Sequence, residues 1–265
     1  MARVCRMVAL AARGDFDARA WLRALAEAAS NDPLLQKLSS RDASHNDGWG
    51  LAALTGNRML HYRSAAPIWE DAALETLASL LAAPVVLIAH ARKASRGTPL
   101  GVGAAHPFPL DTGDGGVLFV AQNGGVAVEE LAGMVKAKPL LDSVDSFVYS
   151  VALAERLEGA SLGEALAELH RELEERGAVR GMANTFALLV KREGGEWKAE
   201  LGVVRHVVRR ELEEYGEVFL LDAPGLFAAA SSTVALRLQL EMRPLGENSV
   251  VTFDPGDWRV TRVPL

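Results

Sequence analysis

The chain has little of several things that would narrow its function. It contains one cysteine, Cys5, in 265 residues, so it cannot form an internal disulfide. No apolar run approaches the roughly 20 residues that a membrane helix needs, so we expect no membrane partner. Acidic residues outnumber basic ones by 34 to 28, giving a net charge of −6, which argues against nucleic acid as a partner. The six histidines show no metal-site spacing, so we expect neither a metal nor another cofactor.

The rest of the composition is that of an ordinary globular protein. Hydrophobic residues make up 49% of the chain and charged residues 23%. No internal repeat, low-complexity tract or linker divides it, so we expect one domain over residues 1–265. A single thiol and no export signal favour a cytoplasmic location.

The hydrophobic pattern predicts strands, then a central pair of helices, then more strands. A buried strand over residues 4–12 precedes a helix ending near Ala29, and a hairpin covers residues 51–62. Helices are predicted over 145–157 and near 162–173. The remaining strands are predicted at 85–89, 117–121, 185–190, 197–204, 218–221, 226–230, 249–253 and 258–263, with a long loop over 93–114. Because this order lacks βαβ alternation, it favours two sheets with helices outside them.

Several polar segments lie where a predicted strand or helix meets a loop. They are Cys5-Arg6, His45-Asn46-Asp47-Gly48-Trp49-Gly50, residues 90–97, His106-Pro107-Phe108, Gln122-Asn123-Gly124-Gly125 and Asp145-Ser146. Each alone has a structural interpretation: Asn123-Gly124 is a turn signal, Arg92 a surface charge and Asp145 a helix cap. Strand ends often converge on a shared rim, so the set together indicates a site.

The position of Cys5 favours nucleophilic chemistry. A cysteine that is the first residue of a chain carries a free α-amine, whose pKa of about 7.7–8.0 lets it take a proton near neutral pH. Such an amine can act as the base for its own thiol. In this sequence Cys5 has four residues before it, and with them attached its nitrogen is an amide.

In their order along the chain, these segments resemble the class II glutamine amidotransferases, which belong to the N-terminal-nucleophile hydrolases. Members begin Met-Cys-Arg or Met-Cys-Glu and carry Asp-Gly-Trp-Gly, His-x-Arg-x-Ala-Ser/Asn-x-Gly, His-Pro-Phe, His-Asn-Gly and Asp-Ser in that order. The match is closest to stand-alone members without a synthase domain. The resemblance implies an α+β fold, a four-layer αββα sandwich of two mainly antiparallel sheets.

The resemblance also implies roles for individual residues. Cys5 would attack the side-chain amide of glutamine, and its α-amine would be the base. Asn123 and the Gly124 N–H would form the oxyanion hole. Arg92 would bind the α-carboxylate of the substrate and Asp145 its α-ammonium. Ser95 and Trp49 are also expected to contact the substrate.

Two departures from the family pattern stand out. The histidine before Asn-Gly is Gln122 here, which cannot titrate, and we expect it to tune the site more than abolish it.

The four residues before Cys5 have three explanations. We favour a start site at Val4, encoded by GTG, which any other valine codon would rule out. The others are removal of a short propeptide, which intact mass would reveal, and a chain that is never trimmed. If Met1 to Val4 remain, we expect them to lie over or beside the pocket.

The resemblance implies glutamine or a γ-glutamyl amide as the substrate, with glutamate and ammonia as products. The sequence does not indicate which molecule accepts the ammonia. A separate synthase protein is an expected partner. Two alternatives stay open. One is hydrolysis of another γ-glutamyl amide, and the other is a non-catalytic glutamine-binding or sensor protein.

Overall fold

The computed structural model describes residues 4–39, 43–95, 97–136 and 144–265. The strands are β1 (Arg6–Ala12), β2 (Trp49–Thr55), β3 (Arg58–Ser64), β4 (Val85–Ala91), β5 (Phe108–Asp111), β6 (Val117–Val126), β7 (Val179–Glu193), β8 (Glu196–Arg205), β9 (Val218–Ala223), β10 (Leu226–Ser231), β11 (Arg243–Pro244), β12 (Ser249–Asp254) and β13 (Arg259–Pro264). The α-helices are α1 (Ala18–Ser30), α2 (Pro33–Leu38), α3 (Ala73–Leu80), α4 (Val128–Ala132), α5 (Asp145–Arg156), α6 (Leu162–Glu175), α7 (Glu213–Gly216) and α8 (Ser232–Leu238).

The strands form two antiparallel sheets. The first has the order β11-β9-β10-β1-β4-β2-β3 and the second the order β13-β12-β8-β7-β6-β5. Helices α1, α3 and α8 pack on the outer face of the first sheet, and α5 and α6 on the outer face of the second. A third apolar cluster fills the space between the sheets. The predicted α+β, four-layer αββα sandwich is therefore confirmed.

The alternation of side chains along each strand explains these layers. In β1, Val8 and Leu10 belong to the outer cluster against the helices, whereas Met7 and Ala9 belong to the cluster between the sheets. Successive strand residues point to opposite faces, so a strand buried on both sides reads as a continuous apolar run. By the same alternation, Cys5 continues the row of Met7 and Ala9 towards the second sheet.

Several short elements were not predicted from the sequence, among them β5 and α8. The loop predicted over 93–114 contains β5, an edge strand that includes Pro109. Proline is tolerated at a sheet edge because no partner needs its missing N–H there, and it hid the strand in the sequence. Helix α8 was not predicted; the sequence predicted only the strand at 226–230 that precedes it. Ser231 ends β10, and Ser232 begins the helix.

In the part of the chain that the structure describes, no helix combines the length and apolar character needed to cross a membrane.

Candidate active site

Cys5 lies directly before β1, at the end of the central strands of the first sheet. Strand β1 pairs with β4 so that Arg6 lies opposite Ala91. This register places Arg92, which follows β4, next to Cys5. Together with Ser95, Gly124 and Asp145, these residues line one cleft. The structure therefore brings together five of the seven residues predicted for the site.

The main chain of Cys5 is held by Asn123 of β6. The Cys5 N–H donates to Asn123 Oδ1 at 2.7 Å, and Asn123 Nδ2 donates to the Cys5 carbonyl at 3.0 Å. The Tyr215 hydroxyl donates to the same carbonyl at 3.2 Å. Asn123 faces Cys5 because it continues the row of Phe119 and Ala121, which points between the sheets. Its side chain is 1% exposed, and it supports Cys5 from behind the cleft.

The thiol of Cys5 is buried, and its polar contacts come from Lys93. The Lys93 N–H lies 3.4 Å from Sγ, and the Lys93 carbonyl lies 3.8 Å from it. Burial raises the pKa of the Cys5 thiol to about 11, against the lowering effects of the Lys93 N–H and the Arg92 charge. With its nitrogen in an amide, the thiol is therefore neutral near pH 7 and needs a base to react.

Arg92 is buried beside the thiol with part of its guanidinium unused. Nη2 donates to the Pro99 carbonyl at 3.0 Å, but Nη1 has no hydrogen-bond partner among the described residues. A buried donor without a partner is costly unless a ligand supplies an acceptor. A carboxylate is the group that a guanidinium fork binds best.

Asp145 is the first residue of α5 and also lines the cleft. One carboxylate oxygen accepts from the Val126 N–H at 3.1 Å, and the other accepts from the Ser146 N–H at 2.9 Å. These donors hold the carboxylate in place at the helix N-terminus, where the helix dipole favours a negative charge. The lining of the cleft therefore includes both a cation and an anion.

The remaining cleft residues add hydrogen-bonding groups. Ser95 Oγ and Gln122 Nε2 are buried without partners among the described residues. Gly124 has a φ of +127°, and a Cβ there would overlap the Met182 carbonyl. Only glycine fits such a close approach of two backbones. The free volume of the cleft is about 20 Å³, roughly the space of one water molecule, so a larger ligand enters only when lining side chains move apart.

Trp49 is not in the cleft. Its side chain is fully buried in the outer cluster of the first sheet, and its Nε1 donates to Asp71 at 2.8 Å. Along β2, Trp49 shares a face with Leu51 and Ala53, so alternation turns it away from the second sheet. The structure gives Trp49 a packing role and does not bring it to the other predicted site residues.

Of the four residues that were expected to lie over or beside the pocket, the structure describes only Val4. Met1 to Arg3 lie outside the described residues. Val4 is buried in an apolar cluster with Tyr215 and residues of α2 and is not among the residues that line the cleft. Its carbonyl lies 3.2 Å from His45 Nδ1.

A buried charged network that the sequence did not reveal anchors the chain beside Cys5. Arg6 Nε donates to Asp32 Oδ2 at 2.6 Å, and His45 Nε2 lies 2.7 Å from the same oxygen. Arg6, Asp32 and His45 are each 0% exposed. Burial alone would raise the pKa of Asp32, but His45 and Arg6 hold it well below its usual range. In the sequence, Asp32 before Pro33 reads only as a helix cap, a role it also fills.

A second network the sequence did not reveal is a chain of neutral groups that reaches the cleft lining at His106 and Ser146. His106 Nδ1 lies 2.9 Å from His90 Nε2, and His106 Nε2 lies 2.8 Å from Ser146 Oγ. Burial lowers the pKa of His90 to about 3 and holds that of His106 well below its usual value. In the sequence, these histidines lie 16 positions apart, which gives no sign of contact.

Among the described residues, no group of three or more His, Cys, Asp or Glu side chains is placed to hold a metal ion.

The comparisons with known proteins bear on the fold. No protein-family model matches the chain, and no curated protein matches it. Among solved structures, it is similar to a glutamine aminotransferase class-II domain protein from Silicibacter pomeroyi. The TM-score is 0.59 and the identity 15%, over 98% of this chain and 99% of the other.

A second similar structure is an allosteric regulatory enzyme of purine biosynthesis. The TM-score is 0.64 and the identity 13%, over 98% of this chain and 49% of the other, so this chain spans about half the length of that enzyme. At these identities the similarity establishes the fold. The chain folds as class II glutamine amidotransferase domains do, over nearly its whole length, as the sequence motifs predicted.

Proposed function

We propose that this chain is a single glutaminase domain of the class II amidotransferase type, which hydrolyses the side-chain amide of glutamine through a thioester on Cys5. The observation that carries the proposal is the convergence of the Cys5 thiol, the Arg92 guanidinium and the Asp145 carboxylate on one cleft. A free amino acid has one charge of each sign next to its reacting chain. A cation, an anion and a nucleophile in one cleft match it.

In the proposed complex, Arg92 Nη1 binds the α-carboxylate and Asp145 binds the α-ammonium. Ser95 Oγ offers a further hydrogen bond to the carboxylate. These contacts fix the side-chain amide against Cys5 Sγ, which removes most of the orientational cost of the reaction. Gln122, which stands in place of the family histidine, keeps a buried amide at the cleft without a group that titrates.

The proposed active form begins at Cys5. Its α-amine takes the thiol proton, and the thiolate attacks the amide carbon of glutamine. The second N–H of Asn123 Nδ2 and the Gly124 N–H stabilise the negative oxygen that develops, typically about 3–4 kcal/mol each. The α-ammonium then protonates the leaving nitrogen, the C–N bond breaks and ammonia departs.

Hydrolysis of the thioester completes the cycle. A water molecule gives its proton to the α-amine and attacks the thioester carbon, and the C–S bond breaks to release glutamate and restore the thiol. The position of the Cys5 nitrogen, 2.7 Å from Asn123 Oδ1, supports this role, because the same oxygen would orient the free amine. A reactive thiol is best preserved in a reducing compartment, and we propose a cytoplasmic location for this reason.

The test is ammonia release from glutamine by protein that starts at Cys5. Cleavage of a fusion tag immediately before Cys5 produces this form, and the full chain and Cys5→Ala in the trimmed form are the controls. We expect ammonia and glutamate in equal amounts from the trimmed protein only. Glutamine binding without ammonia release by the trimmed protein would refute the proposal.

One observation favours a second candidate, a glutamine-binding or sensor protein. While Val4 is attached, the Cys5 nitrogen is an amide and the thiol has a pKa of about 11, yet Arg92 and Asp145 still face the cleft. The untrimmed chain would then bind glutamine without turning it over. Calorimetry with the full chain tests this candidate, and absence of glutamine binding would exclude it.

We further propose that a separate synthase protein receives the ammonia. This partner is tested by comparing the turnover of glutamine with that of γ-glutamyl p-nitroanilide, a substrate that needs no ammonia acceptor. Full turnover of this compound at the rate of glutamine, with no other protein added, would instead favour a hydrolase of γ-glutamyl amides.

A further inference from the structure

We propose that His45 is a positioning residue for the α-amine of Cys5. In the chain that begins at Cys5, its Nδ1 accepts a hydrogen bond from that amine, directly or through one water molecule. The inference rests on the proposed function, in which this amine is the base for the thiol. It adds a residue that does not itself line the cleft but holds the base in the orientation that the reaction needs.

Asp32 determines which ring nitrogen of His45 carries a proton. Its Oδ1 accepts from the Leu34 N–H at 3.0 Å and from the Thr233 hydroxyl at 2.8 Å, and its Oδ2 accepts from Arg6 Nε at 2.6 Å. A carboxyl group that receives donors on both oxygens and pairs with a guanidinium is ionised and can only accept. His45 Nε2, which lies 2.7 Å from Oδ2, must therefore carry a proton and donate it.

On its other side, the His45 ring meets a group that cannot donate. Nδ1 lies 3.2 Å from the Val4 carbonyl oxygen, and a carbonyl only accepts. With the proton on Nε2, a neutral ring places its Nδ1 lone pair against this oxygen. A second proton on Nδ1 would satisfy the contact, but burial and the charge of Arg6 oppose it by lowering the pKa of His45, against the effect of Asp32. While Val4 is attached, either arrangement is costly.

A free amine at Cys5 removes this mismatch. In the untrimmed chain only the carbonyl carbon separates the Val4 oxygen from the Cys5 nitrogen. Covalent geometry therefore keeps that nitrogen less than about 6 Å from His45 Nδ1. This distance is spanned by one hydrogen bond or by two that share a water molecule. Once the carbonyl is gone, the amine supplies the donor that the Nδ1 lone pair lacks.

Two acceptors then orient the amine. Asn123 Oδ1, which lies 2.7 Å from the Cys5 nitrogen, takes one N–H, and His45 Nδ1 takes the other. The lone pair is the one position left on the nitrogen, and it receives the thiol proton. In the ammonium that forms, the same acceptors hold two of the three hydrogens, so the third passes to the leaving nitrogen.

The amine can be observed directly because Cys5 is the only cysteine. Protein that starts at Cys5 and is labelled with ¹⁵N-cysteine gives one amine signal, whose shift with pH yields the pKa of the amine. Since the hydrogen bond favours the ammonium, we expect this pKa to fall by about 1 in His45→Phe. The acid limb of kcat/KM for glutamine should move to lower pH by the same amount. A fall of less than about 0.3 would overturn the proposal.

Two further variants separate orientation from a general loss of structure. His45→Gln can donate to Asp32 through its amide nitrogen and offer its amide oxygen to the amine, so it should restore the pKa of the amine. Thr233→Val removes a buried hydrogen bond to Asp32 but keeps both ring nitrogens of His45, and it should leave that pKa unchanged. A fall in Thr233→Val as large as that in His45→Phe, or no recovery in His45→Gln, would refute the role of His45.

The other charges around the amine are the same in these proteins, so a difference between them reports on position 45. The charged and titratable groups near Cys5 are those of Arg6, Asp32, Asp47, Arg92, Lys93 and Tyr215.

A measurement on trimmed protein with His45 intact keeps the proposal testable if a variant does not fold. The ¹⁵N shifts of labelled histidine distinguish a protonated ring nitrogen from an acceptor nitrogen. For His45 near neutral pH we expect a protonated Nε2 and an unprotonated Nδ1. A protonated Nδ1 would exclude the proposed contact, because it could not accept from the amine.

Neither of these spectroscopic measurements depends on turnover. If the trimmed protein releases no ammonia, the proposed glutaminase fails, while the pKa of the amine still tests the contact with His45. If ammonia is released but His45→Phe leaves that pKa unchanged, the inference about His45 fails and the glutaminase stands.

Discussion

Asn123 bonds to both polar main-chain atoms of Cys5, with its Oδ1 2.7 Å from the nitrogen and its Nδ2 3.0 Å from the carbonyl oxygen. Cys5 directly precedes β1 of the first sheet and Asn123 lies in β6 of the second, so this side chain ties the two sheets together at Cys5. The position of Cys5 therefore depends on the packing of both sheets.

Loss of the Asn123 side chain should affect both stability and catalysis. We expect Asn123→Ala to lower the free energy of unfolding by about 2–4 kcal/mol, because it leaves the Cys5 N–H and carbonyl buried with one partner fewer each. In protein that starts at Cys5, kcat should fall about 100- to 1,000-fold with the oxyanion donor gone. Urea unfolding and ammonia release measure the two effects.

The matched control is Asn248→Ala, away from the cleft. Asn248 also bonds to main-chain atoms, both those of Val207, so its loss should reduce stability but leave kcat near normal where the protein is folded. A kcat for Asn123→Ala within 3-fold of the unaltered trimmed protein would contradict the role of Asn123.

Arg92→Ala should act mainly on substrate binding. Removing the guanidinium deletes the partner proposed for the α-carboxylate, so we expect KM for glutamine to rise about 10- to 100-fold. The substrate 4-aminobutanamide, which is glutamine without its carboxylate, should be used equally by both proteins. Steady-state ammonia assays with both substrates provide the measurement. A loss of the same size with 4-aminobutanamide would show that Arg92 does not bind the carboxylate.

The Arg6–Asp32 pair should be much more important for stability than a surface pair. Asp32→Ala leaves Arg6 buried without its partner, and we expect a loss of about 3–5 kcal/mol in the free energy of unfolding. The control is Lys37→Ala, which breaks the exposed pair with Glu214 and should cost less than about 1 kcal/mol. Chemical denaturation of both variants tests this, and equal losses would argue against the difference in burial.

Glu200 should make stability depend on pH. Burial and the nearby Asp254 raise its pKa from 4.5 to about 7. Between these values the folded state binds more protons than the unfolded state, so the free energy of unfolding falls as pH rises from 4.5 to 7. Glu200→Gln removes this loss and should be more stable than the unaltered protein by about 1–3 kcal/mol at pH 8.

The advantage of Glu200→Gln should disappear as pH falls towards 4.5, because Glu200 is then neutral in the folded protein. Urea unfolding at pH 5 and pH 8 gives the comparison, with exposed Glu193→Gln as the control expected to change stability by less than about 0.5 kcal/mol. A variant no more stable than the original at pH 8 would rule out a penalty from Glu200.

The sequence predicted the layers well because burial on both faces leaves a direct trace. Strands such as β1 and β4 are continuous apolar runs, and helix α6 has its leucines on one face. The edge strand β5 left no such trace, since it has one neighbour and contains Pro109. An edge strand needs fewer apolar residues and therefore gives a weaker signal.

The site was predicted as a set of residues but not as an arrangement. Motif order grouped Cys5, Arg92 and Asp145, and these residues line one cleft. Trp49 was grouped with them although alternation along β2 turns it to the other face. The contacts of Asp32 with Arg6 and of His90 with His106 depend on how separate strands and loops meet. No local pattern records such pairings.

The strand that carries Cys5 is the middle strand of seven in the first sheet, with neighbours on both sides and buried layers above and below. Such strands exchange their amide hydrogens only when the whole domain opens, whereas loops open at far lower cost. Arg92 and Ser95 follow β4 in the loop that leads to β5. The Cys5 thiol thus adjoins one of the most protected strands of the molecule, whereas adjustment to a ligand falls to the loop that carries Arg92 and Ser95.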